Sequence, residues 1–256
     1  MTTLQGKIAI VTGASRGLGA GMALELASQG ASVMLTYTSD SSAKLVDDLI
    51  SQINQLPANP KARGCKVDLS KVRGPGLVIA ELDAWLGPEG RIDILVNNAG
   101  VEVAKTLEEI DVADYDKVYN LNARGTILLT QALLPRFSAA NNRIINIGSV
   151  GGRSGFAGLS LYCSSKAALE GLTRCWAAEL GGNGTTVNQV NPGPVQTAML
   201  DNIPKDIVDM QKKQTPVQNR VGTVPEIAKV VAWLASPASS WISGQVLSAS
   251  GGWAMY

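Results

Sequence analysis

The stretch Lys7-Ile-Ala-Ile-Val-Thr-Gly-Ala-Ser-Arg-Gly-Leu-Gly19 decides the fold of this chain. Its apolar run, 7–12, is typical of a strand buried on both faces, and the glycines that follow open a helical pattern over 18–29 that ends at Gly30. Glycine lets the backbone approach a phosphate closely, while a helix N-terminus offers free amides and a positive dipole. The spacing Gly-x-x-x-Gly-x-Gly therefore indicates a dinucleotide-binding turn, the alternative being a tight turn without a ligand.

The same alternation of strand and helix continues along the chain. The predicted strands are 7–12, 32–37, 62–67, 92–97, 143–147, 185–190 and 245–248, and the predicted helices are 18–29, 41–56, 72–86, 111–138, 161–180 and 225–235. Such alternation indicates a parallel sheet with helices on both faces. We therefore predict an α/β fold in one domain, 1–256, with a single doubly wound parallel sheet of about seven strands. Residues 194–222, rich in Pro, Gln and Lys, interrupt the pattern and are predicted to form a substrate lid.

The composition excludes several classes of function. The net charge of +1 gives no electrostatic attraction for nucleic acid or anionic lipid. The chain has no histidine, which excludes serine-histidine hydrolase chemistry and histidine metal sites, and its three cysteines, Cys65, Cys163 and Cys175, show no paired spacing. We predict no metal and no disulfide framework. Without a signal-like start or an apolar run of membrane-spanning length, we predict a cytoplasmic protein that binds neither nucleic acid nor membrane.

Tyr162 and Lys166 lie four residues apart in a predicted helix and therefore on one face of it. A lysine ammonium one turn from a phenol favours the phenolate, so we predict a pKa for Tyr162 below its reference value of about 10. A phenol tuned in this way can exchange a proton with an alcohol or ketone oxygen. Because most isolated Tyr-x-x-x-Lys pairs are surface residues, the assignment depends on the other motifs.

The end of the second predicted strand bears on the choice of cofactor. It reads Tyr37-Thr38-Ser39 and lacks the acidic residue that many NAD-binding folds use to bind the ribose hydroxyls. Arg16 can instead pair with a 2′-phosphate, with Thr38 and Ser39 as hydrogen-bond partners. This pattern favours NADP(H) over NAD(H). Asp40 lies close enough that a shift of a few residues in the strand would weaken the inference.

Five motifs in a fixed order make the chain resemble a short-chain dehydrogenase/reductase from about Gly6 to Gly252. They are Thr12-Gly13 through Gly19, Asn97-Asn98-Ala99-Gly100, Asn122 in Leu-Asn-Ala-Arg-Gly, Ser149 with Tyr162 and Lys166, and Asn191-Pro192-Gly193. The run that begins Arg220-Val-Gly-Thr-Val-Pro-Glu is similar to 3-oxoacyl-carrier-protein reductases and related carbonyl reductases. The resemblance implies a Rossmann-type fold and NADPH-dependent reduction of a ketone to a secondary alcohol.

The resemblance also implies four catalytic residues. Ser149, thirteen residues before Tyr162, would hydrogen-bond the substrate oxygen, and Tyr162 would donate the proton. Lys166 would bind the nicotinamide ribose and lower the tyrosine pKa. Asn122 would retain a water of a proton relay, or alternatively serve as a structural amide that caps or bends its helix.

By the same route the resemblance implies a cofactor-binding set. It comprises Gly13, Ser15, Arg16, Gly17, Leu18 and Gly19 in the turn; Tyr37, Thr38 and Ser39 after the second strand; Asp68 and Leu69 beside the adenine; Asn98, Ala99 and Gly100 along the cofactor path; Tyr162 and Lys166; and Pro192, Gly193, Val195 and Thr197 near the nicotinamide and the phosphates. Asp68 has an alternative role as the N-cap of the next helix. We expect Asn97 to be structural and to tie the sheet to its neighbours.

The predicted substrate pocket is mostly apolar and comprises Val150, Gly151, Phe156, Pro194 and Met199. This lining favours a mid-sized ketone, cyclic or polyketide-like. Two alternatives remain open: an NAD-dependent alcohol or polyol dehydrogenase, and a non-redox isomerase, cyclase or NADP-sensing protein. The second would be expected to lack one of the serine, tyrosine and lysine, and all three are present.

Self-association to a dimer or tetramer is also predicted. The helices predicted over 111–138 and 161–180 carry apolar residues on more than one face, and members of the family pair such helices between subunits. The apolar stretch Trp253-Ala-Met-Tyr256 is predicted to pack at a subunit interface.

Overall fold

The computed structural model describes residues 3–198, 200 and 203–256, and within them one parallel sheet of seven strands forms the centre of the fold. The strands are β1 (Ile8–Val11), β2 (Ser32–Tyr37), β3 (Ala62–Lys66), β4 (Ile94–Asn97), β5 (Arg143–Ile147), β6 (Thr186–Pro192) and β7 (Val246–Ala249). Their order across the sheet is β3-β2-β1-β4-β5-β6-β7. The order reverses between β1 and β4, which places a crevice at their carboxyl ends, where ligands of such folds bind.

Helices cover both faces of this sheet, as predicted. They are α1 (Gly17–Ser28), α2 (Ala43–Asn54), α3 (Gly74–Leu86), α4 (Val112–Tyr119), α5 (Thr126–Leu133), α6 (Ser160–Leu180), α7 (Lys205–Gln214) and α8 (Val224–Ala235). Ala9 and Val11 of β1 pack in one buried cluster with α1, α2 and α8, whereas Ile10 packs in the other with α3 and α5. Because successive side chains point to opposite faces, a strand covered on both sides must be apolar at every position.

The helix predicted over 111–138 is interrupted. A capping box of Asp111 and Asp114 opens α4, but a π-helical turn over Asn120–Gly125 separates it from α5, and a 3-10 turn follows at Leu134–Arg136. Gly125 lies so close to the Leu69 carbonyl oxygen that a Cβ there would overlap it. The wider turn therefore lets the helix pass the β3–α3 connection, and such turns are common at functional sites.

The segment predicted as a lid contains α7, which was not predicted. None of the side chains of α7 is buried, and the helix lies within the stretch rich in Pro, Gln and Lys that interrupts the alternation of strands and helices. The lid role and the single-domain assignment stay predictions. Within the described part of the chain, no helix combines the length and the apolar character needed to cross a bilayer.

Candidate active site

The turn after β1 is fastened to the turn after β4. The Thr12 hydroxyl accepts hydrogen bonds from the backbone amides of Asn98 and Ala99, both at 2.9 Å. The Asn98 side chain donates to the carbonyl oxygens of Thr12 at 2.7 Å and Gly13 at 3.2 Å. Two loops from either side of the crevice are thereby held together at its floor.

The glycine-rich turn forms an open cradle at the start of α1. Gly17 has a positive φ of 57°, which favours glycine, and a Cβ on Gly19 would overlap the Gly13 carbonyl. No side chain caps the first amides of α1, and its first turn contains no acidic residue. Free amides, a positive helix end and a surface without Cβ atoms fit the pyrophosphate of a dinucleotide. Thr197 lies beside this turn, since its Cγ2 is 3.7 Å from the position of a Cβ on Gly17.

The non-glycine residues of this cradle differ in how far they are exposed to solvent. Leu18 packs partly against the core, while Ser15 lies in the turn itself. Arg16 is exposed, and its guanidinium makes no hydrogen bond or ion pair with the residues that the structure describes. It is therefore free to bind an anion.

The carboxyl end of β2 leaves Thr38 and Ser39 exposed after Tyr37. Asp40, the nearest acidic residue, forms an ion pair with Lys66 at the end of β3, and its side chain is 89% exposed. The carboxylate is thus held in a surface ion pair, and the residues that directly follow the strand present hydroxyl groups.

Asp68 and Leu69 follow β3 at the predicted adenine side. The Asp68 carboxylate accepts from the Ser70 amide at 2.9 Å, and α3 begins only at Gly74. The alternative that Asp68 caps the next helix is therefore wrong, because its side chain closes a turn that precedes that helix. Leu69 is 5% exposed and packs in the core, which leaves only its backbone available to a nucleotide.

Asn97 and Asn122 both connect separate segments of the fold through side-chain hydrogen bonds. Asn97 donates to Asn146 of β5 at 2.9 Å and to Thr130 of α5 at 3.2 Å, which confirms its structural role. Asn122 exchanges two hydrogen bonds with the backbone of Val101, each at 2.9 Å, and donates to Ser165 at 3.0 Å. Asn122 therefore has a structural role, but one that connects separate segments and does not cap its own helix. The water relay stays a prediction.

Ser149, Tyr162 and Lys166 meet where β5 ends against α6. The Lys166 ammonium donates to the Ile147 carbonyl at 2.8 Å and lies 5.7 Å from the centroid of the Tyr162 ring. A Cβ on Gly100 would stand 3.3 Å from the Lys166 Nζ, so the loop after β4 closes over it. Lys166 is 4% exposed, and this burial lowers its pKa to about 8.

Burial of the phenol raises the pKa of Tyr162 to about 12, more than hydrogen bonding to Ser149 lowers it. The negative charges of Glu102 and Cys163 also raise this pKa. The predicted value below 10 is therefore wrong for the protein without a bound dinucleotide. Desolvation of the phenolate dominates, while the Lys166 ammonium interacts with a carbonyl and is itself desolvated.

A buried polar network that the sequence did not reveal supports Ser149. Its backbone amide donates to the Asn191 side chain at 3.1 Å, and Gln189 donates to the same oxygen at 2.7 Å. Asn191 in turn donates to Glu170 at 3.0 Å, and Arg153 donates to Glu170 at 2.8 Å. The only signal for it was the polar pattern of the otherwise buried strand β6.

The predicted substrate residues lie around Ser149. A Cβ on Gly151 would stand 3.3 Å from both the Ser149 hydroxyl and the Phe156 ring, and 3.1 Å from the Cys163 sulfur. Val150 is buried beside them. Met199 lies outside the described residues. Trp253 packs its ring 5.5 Å from that of Phe156. The subunit interface predicted for 253–256 stays a prediction.

The chain after β6 completes the crevice. Gly193 donates to the Ala249 carbonyl at 3.1 Å, directly after Pro192 ends the strand. Pro194 accepts from the Gly222 amide at 2.8 Å, and Val195 is buried. Pro192 and Val195 therefore shape the crevice mainly through their backbone. Glu102, which was not predicted, is partly buried and makes no hydrogen bond with other described residues.

Comparisons with known proteins identify related reductases. The family model described as enoyl-(acyl carrier protein) reductase matches residues 13–254. The chain is 40% identical to the short-chain dehydrogenase/reductase FrzI of Cladobotryum sp over 98% of its own length and 96% of that protein.

Two solved structures superpose over nearly the whole chain. A blue fluorescent protein from a metagenomic library, in complex with NADPH, is 36% identical with a TM-score of 0.90 and covers 99% of this chain and 100% of its own. The angucycline C-6 ketoreductase LanV with bound NADP is 30% identical with a TM-score of 0.90, and the coverage is 97% and 96%. The uncapped glycine cradle, the tyrosine and lysine on one helix face, and these matches together show that the chain belongs to the short-chain dehydrogenase/reductase family of oxidoreductases.

Proposed function

We propose that this protein uses NADPH to reduce a ketone to a secondary alcohol. The observation that carries the proposal is the meeting of Ser149, Tyr162 and Lys166 at the same edge of the sheet as the uncapped glycine cradle. When bound, NADPH supplies the hydride. The protein residues bind and orient the reactants and deliver the proton.

Tyr162 is the proposed proton donor. With a pKa raised to about 12, its phenol is protonated at neutral pH, which is the form required to donate to an oxygen that gains negative charge. Ser149 orients that oxygen and shares its charge through a hydrogen bond. Lys166, 5.7 Å from the ring centroid, stabilises the phenolate that remains, and Asn122 keeps the loop beside Lys166 in place for the proposed proton relay.

We propose NADP(H) as the preferred cofactor. The free guanidinium of Arg16 and the exposed hydroxyl groups of Thr38 and Ser39 form an environment for a 2′-phosphate. The nearest acidic group, the Asp40 carboxylate, is already paired with Lys66. The similar structures with bound NADPH and NADP support this preference.

The proposed substrate is a mid-sized ketone on a cyclic or polyketide-like skeleton. Support comes from the apolar lining by Val150 and by the Phe156–Trp253 ring pair, and from the similarity to an angucycline C-6 ketoreductase. We also propose self-association through the outer face of α5 and α6. Ile127 and Leu134 are exposed there beside a cavity of about 220 Å³, which Trp176 also lines.

The proposal is tested by following the absorbance of reduced nicotinamide on addition of 1-tetralone, cyclohexanone or acetophenone. We expect oxidation of NADPH in the native protein and almost none in a Tyr162→Phe variant that still binds NADPH. Faster reaction with NADH would favour the NAD-dependent dehydrogenase, and failure of every ketone with both cofactors would contradict the proposed reaction. A single-subunit mass by light scattering would contradict self-association.

A further inference from the structure

Residues 251–256 fold back over the loop that follows Ser149. Gly251 and Gly252 both have positive φ values, 63° and 84°, and turn the chain sharply after β7. The Ala254 carbonyl accepts from the hydroxyl groups of Ser248 at 2.9 Å and Ser250 at 3.2 Å. Ala254 itself is buried, so this segment is anchored to the end of the sheet.

Tyr256 makes two contacts with the Ser149 loop. Its hydroxyl donates to the Val150 carbonyl at 2.8 Å, and its ring lies under the Arg153 guanidinium, 5.1 Å from the centroid. The neighbouring side chain, Met255, is 80% exposed. The two contacts with the Ser149 loop are therefore made by Tyr256 and not by Met255.

These contacts hold both ends of the turn that orients the Ser149 hydroxyl. Ser149 caps this turn, because its Oγ accepts from the Gly151 amide at 3.0 Å. At the other end, Arg153 donates to the Glu170 carboxylate, which also accepts from the Asn191 side chain. The side-chain oxygen of Asn191 in turn accepts from the Ser149 backbone amide. A shift of Val150 or Arg153 would therefore be transmitted to Ser149 along two routes.

We propose that Tyr256 is a positioning residue for Ser149: its hydroxyl and ring lock the 149–153 turn in the conformation that presents the serine hydroxyl to the substrate oxygen. The proposal rests on the proposed function of Ser149 and assigns no direct substrate contact to Tyr256. Tyr256 lies on the substrate side of the crevice, away from the glycine cradle, so its loss should affect turnover and leave cofactor binding unchanged.

The test compares Tyr256→Phe, which keeps the ring, with the matched control Met255→Ala in the full chain. Three quantities are measured: kcat and KM for 1-tetralone with NADPH, the Kd of NADPH, and hydrogen exchange of the peptide covering 149–156. For Tyr256→Phe we expect kcat to fall about fivefold, the rate factor of one neutral hydrogen bond, with faster exchange in that peptide and an unchanged Kd. Tyr256→Ala, which also removes the ring, should lower kcat further.

Equal kcat and equal exchange in Tyr256→Phe and Met255→Ala would overturn the proposal. A fall in kcat accompanied by weaker NADPH binding and a lower Tm would also overturn it, because that pattern describes general destabilisation. If the native protein reduces no ketone, the proposed function fails separately. The exchange comparison then still decides whether Tyr256 holds the turn, and unchanged exchange rejects it.

Discussion

The proposed cofactor side and the proposed substrate side of the crevice are held by different kinds of contact. The cofactor side is built from backbone amides and from glycines without a Cβ within 12–19. The Thr12 hydroxyl connects it by hydrogen bonds to the loop after β4. On the substrate side, side chains far apart in sequence support Ser149 through Asn191, Glu170 and Tyr256. The first side should therefore be sensitive to any added Cβ atom, and the second to the loss of single polar groups.

The largest expected effect is on the substrate side. Tyr162→Phe removes the proposed proton donor without changing the volume of the ring, and we expect the rate of ketone reduction to fall on the order of 10²–10⁴-fold. The Kd of NADPH should stay near the native value, since the glycine cradle is intact. Single-turnover kinetics and NADPH titration measure both. Tyr115→Phe, on an exposed tyrosine, is the control, and full turnover in Tyr162→Phe would remove that residue from the reaction.

Gly19→Ala should have the next largest effect, on the cofactor side. The new Cβ would overlap the Gly13 carbonyl, and because backbone cannot yield as a side chain does, the turn must distort. We expect NADPH affinity to fall about 100-fold or more, the equivalent of roughly 3 kcal/mol.

The control for Gly19→Ala is Gly171→Ala in α6, where nothing lies within 4 Å of the new Cβ and alanine favours the helix. Calorimetric titration with NADPH and a thermal melt separate lost binding from lost stability. Equal NADPH affinity in the two variants would show that the cradle does not depend on the close approach.

Arg16→Ala should reduce the preference of the protein for NADPH over NADH. A charge-assisted hydrogen bond to a phosphate contributes about 1.5–3 kcal/mol, so we expect NADPH affinity to fall roughly 10- to 100-fold. NADH lacks the 2′-phosphate, and its affinity should not change. Titrations of Arg16→Ala and of the surface control Arg91→Ala with both cofactors provide the measurement. A parallel loss for NADH would place Arg16 elsewhere on the dinucleotide.

The smallest expected effect concerns stability and pH. Burial lowers the pKa of Lys166 from 10.5 to about 8, so between these values the folded protein binds fewer protons than the unfolded chain. Stability without cofactor should therefore rise with pH in this window, by about 1 kcal/mol from pH 8 to pH 9. Well below pH 8 Lys166 is protonated in both the folded and the unfolded state, and the free-energy cost of burying the ammonium is then at its largest.

Denaturant unfolding at pH 7, 8 and 9 tests this, with Lys166→Met as the variant that lacks the titrating group and the exposed Lys229→Met as the control. The difference between native protein and Lys166→Met should move in favour of the native protein as pH rises. A constant difference would show that Lys166 stays protonated in the folded protein throughout this range, and that burial does not lower its pKa as far as about 8.

Most of the fold could be predicted because its signals are local. The strand, glycine turn and helix over 7–29 are contiguous, and the alternation of apolar runs indicated the parallel sheet. The helix over 111–138 was predicted without its interruption, because the π turn depends on the approach of Gly125 to the Leu69 carbonyl, which lies 56 residues away in sequence. Helix α7 was missed because it lies within a stretch rich in Pro, Gln and Lys, a composition that favours an irregular segment.

The sequence by itself determined the alternation of strands and helices that builds the sheet, because that alternation follows from local apolar patterns. The proposed phosphate cradle and the serine, tyrosine and lysine were also identified from the sequence, through local motifs and the family resemblance. Only the tertiary structure decided the protonation of Tyr162, since desolvation depends on what surrounds the phenol and outweighs the nearby lysine. It also decided that Asp40 pairs with Lys66 and that Tyr256 contacts Val150. These contacts join residues 26 and 106 positions apart. No local pattern encodes such distances, because the folding of the whole chain brings the partners together.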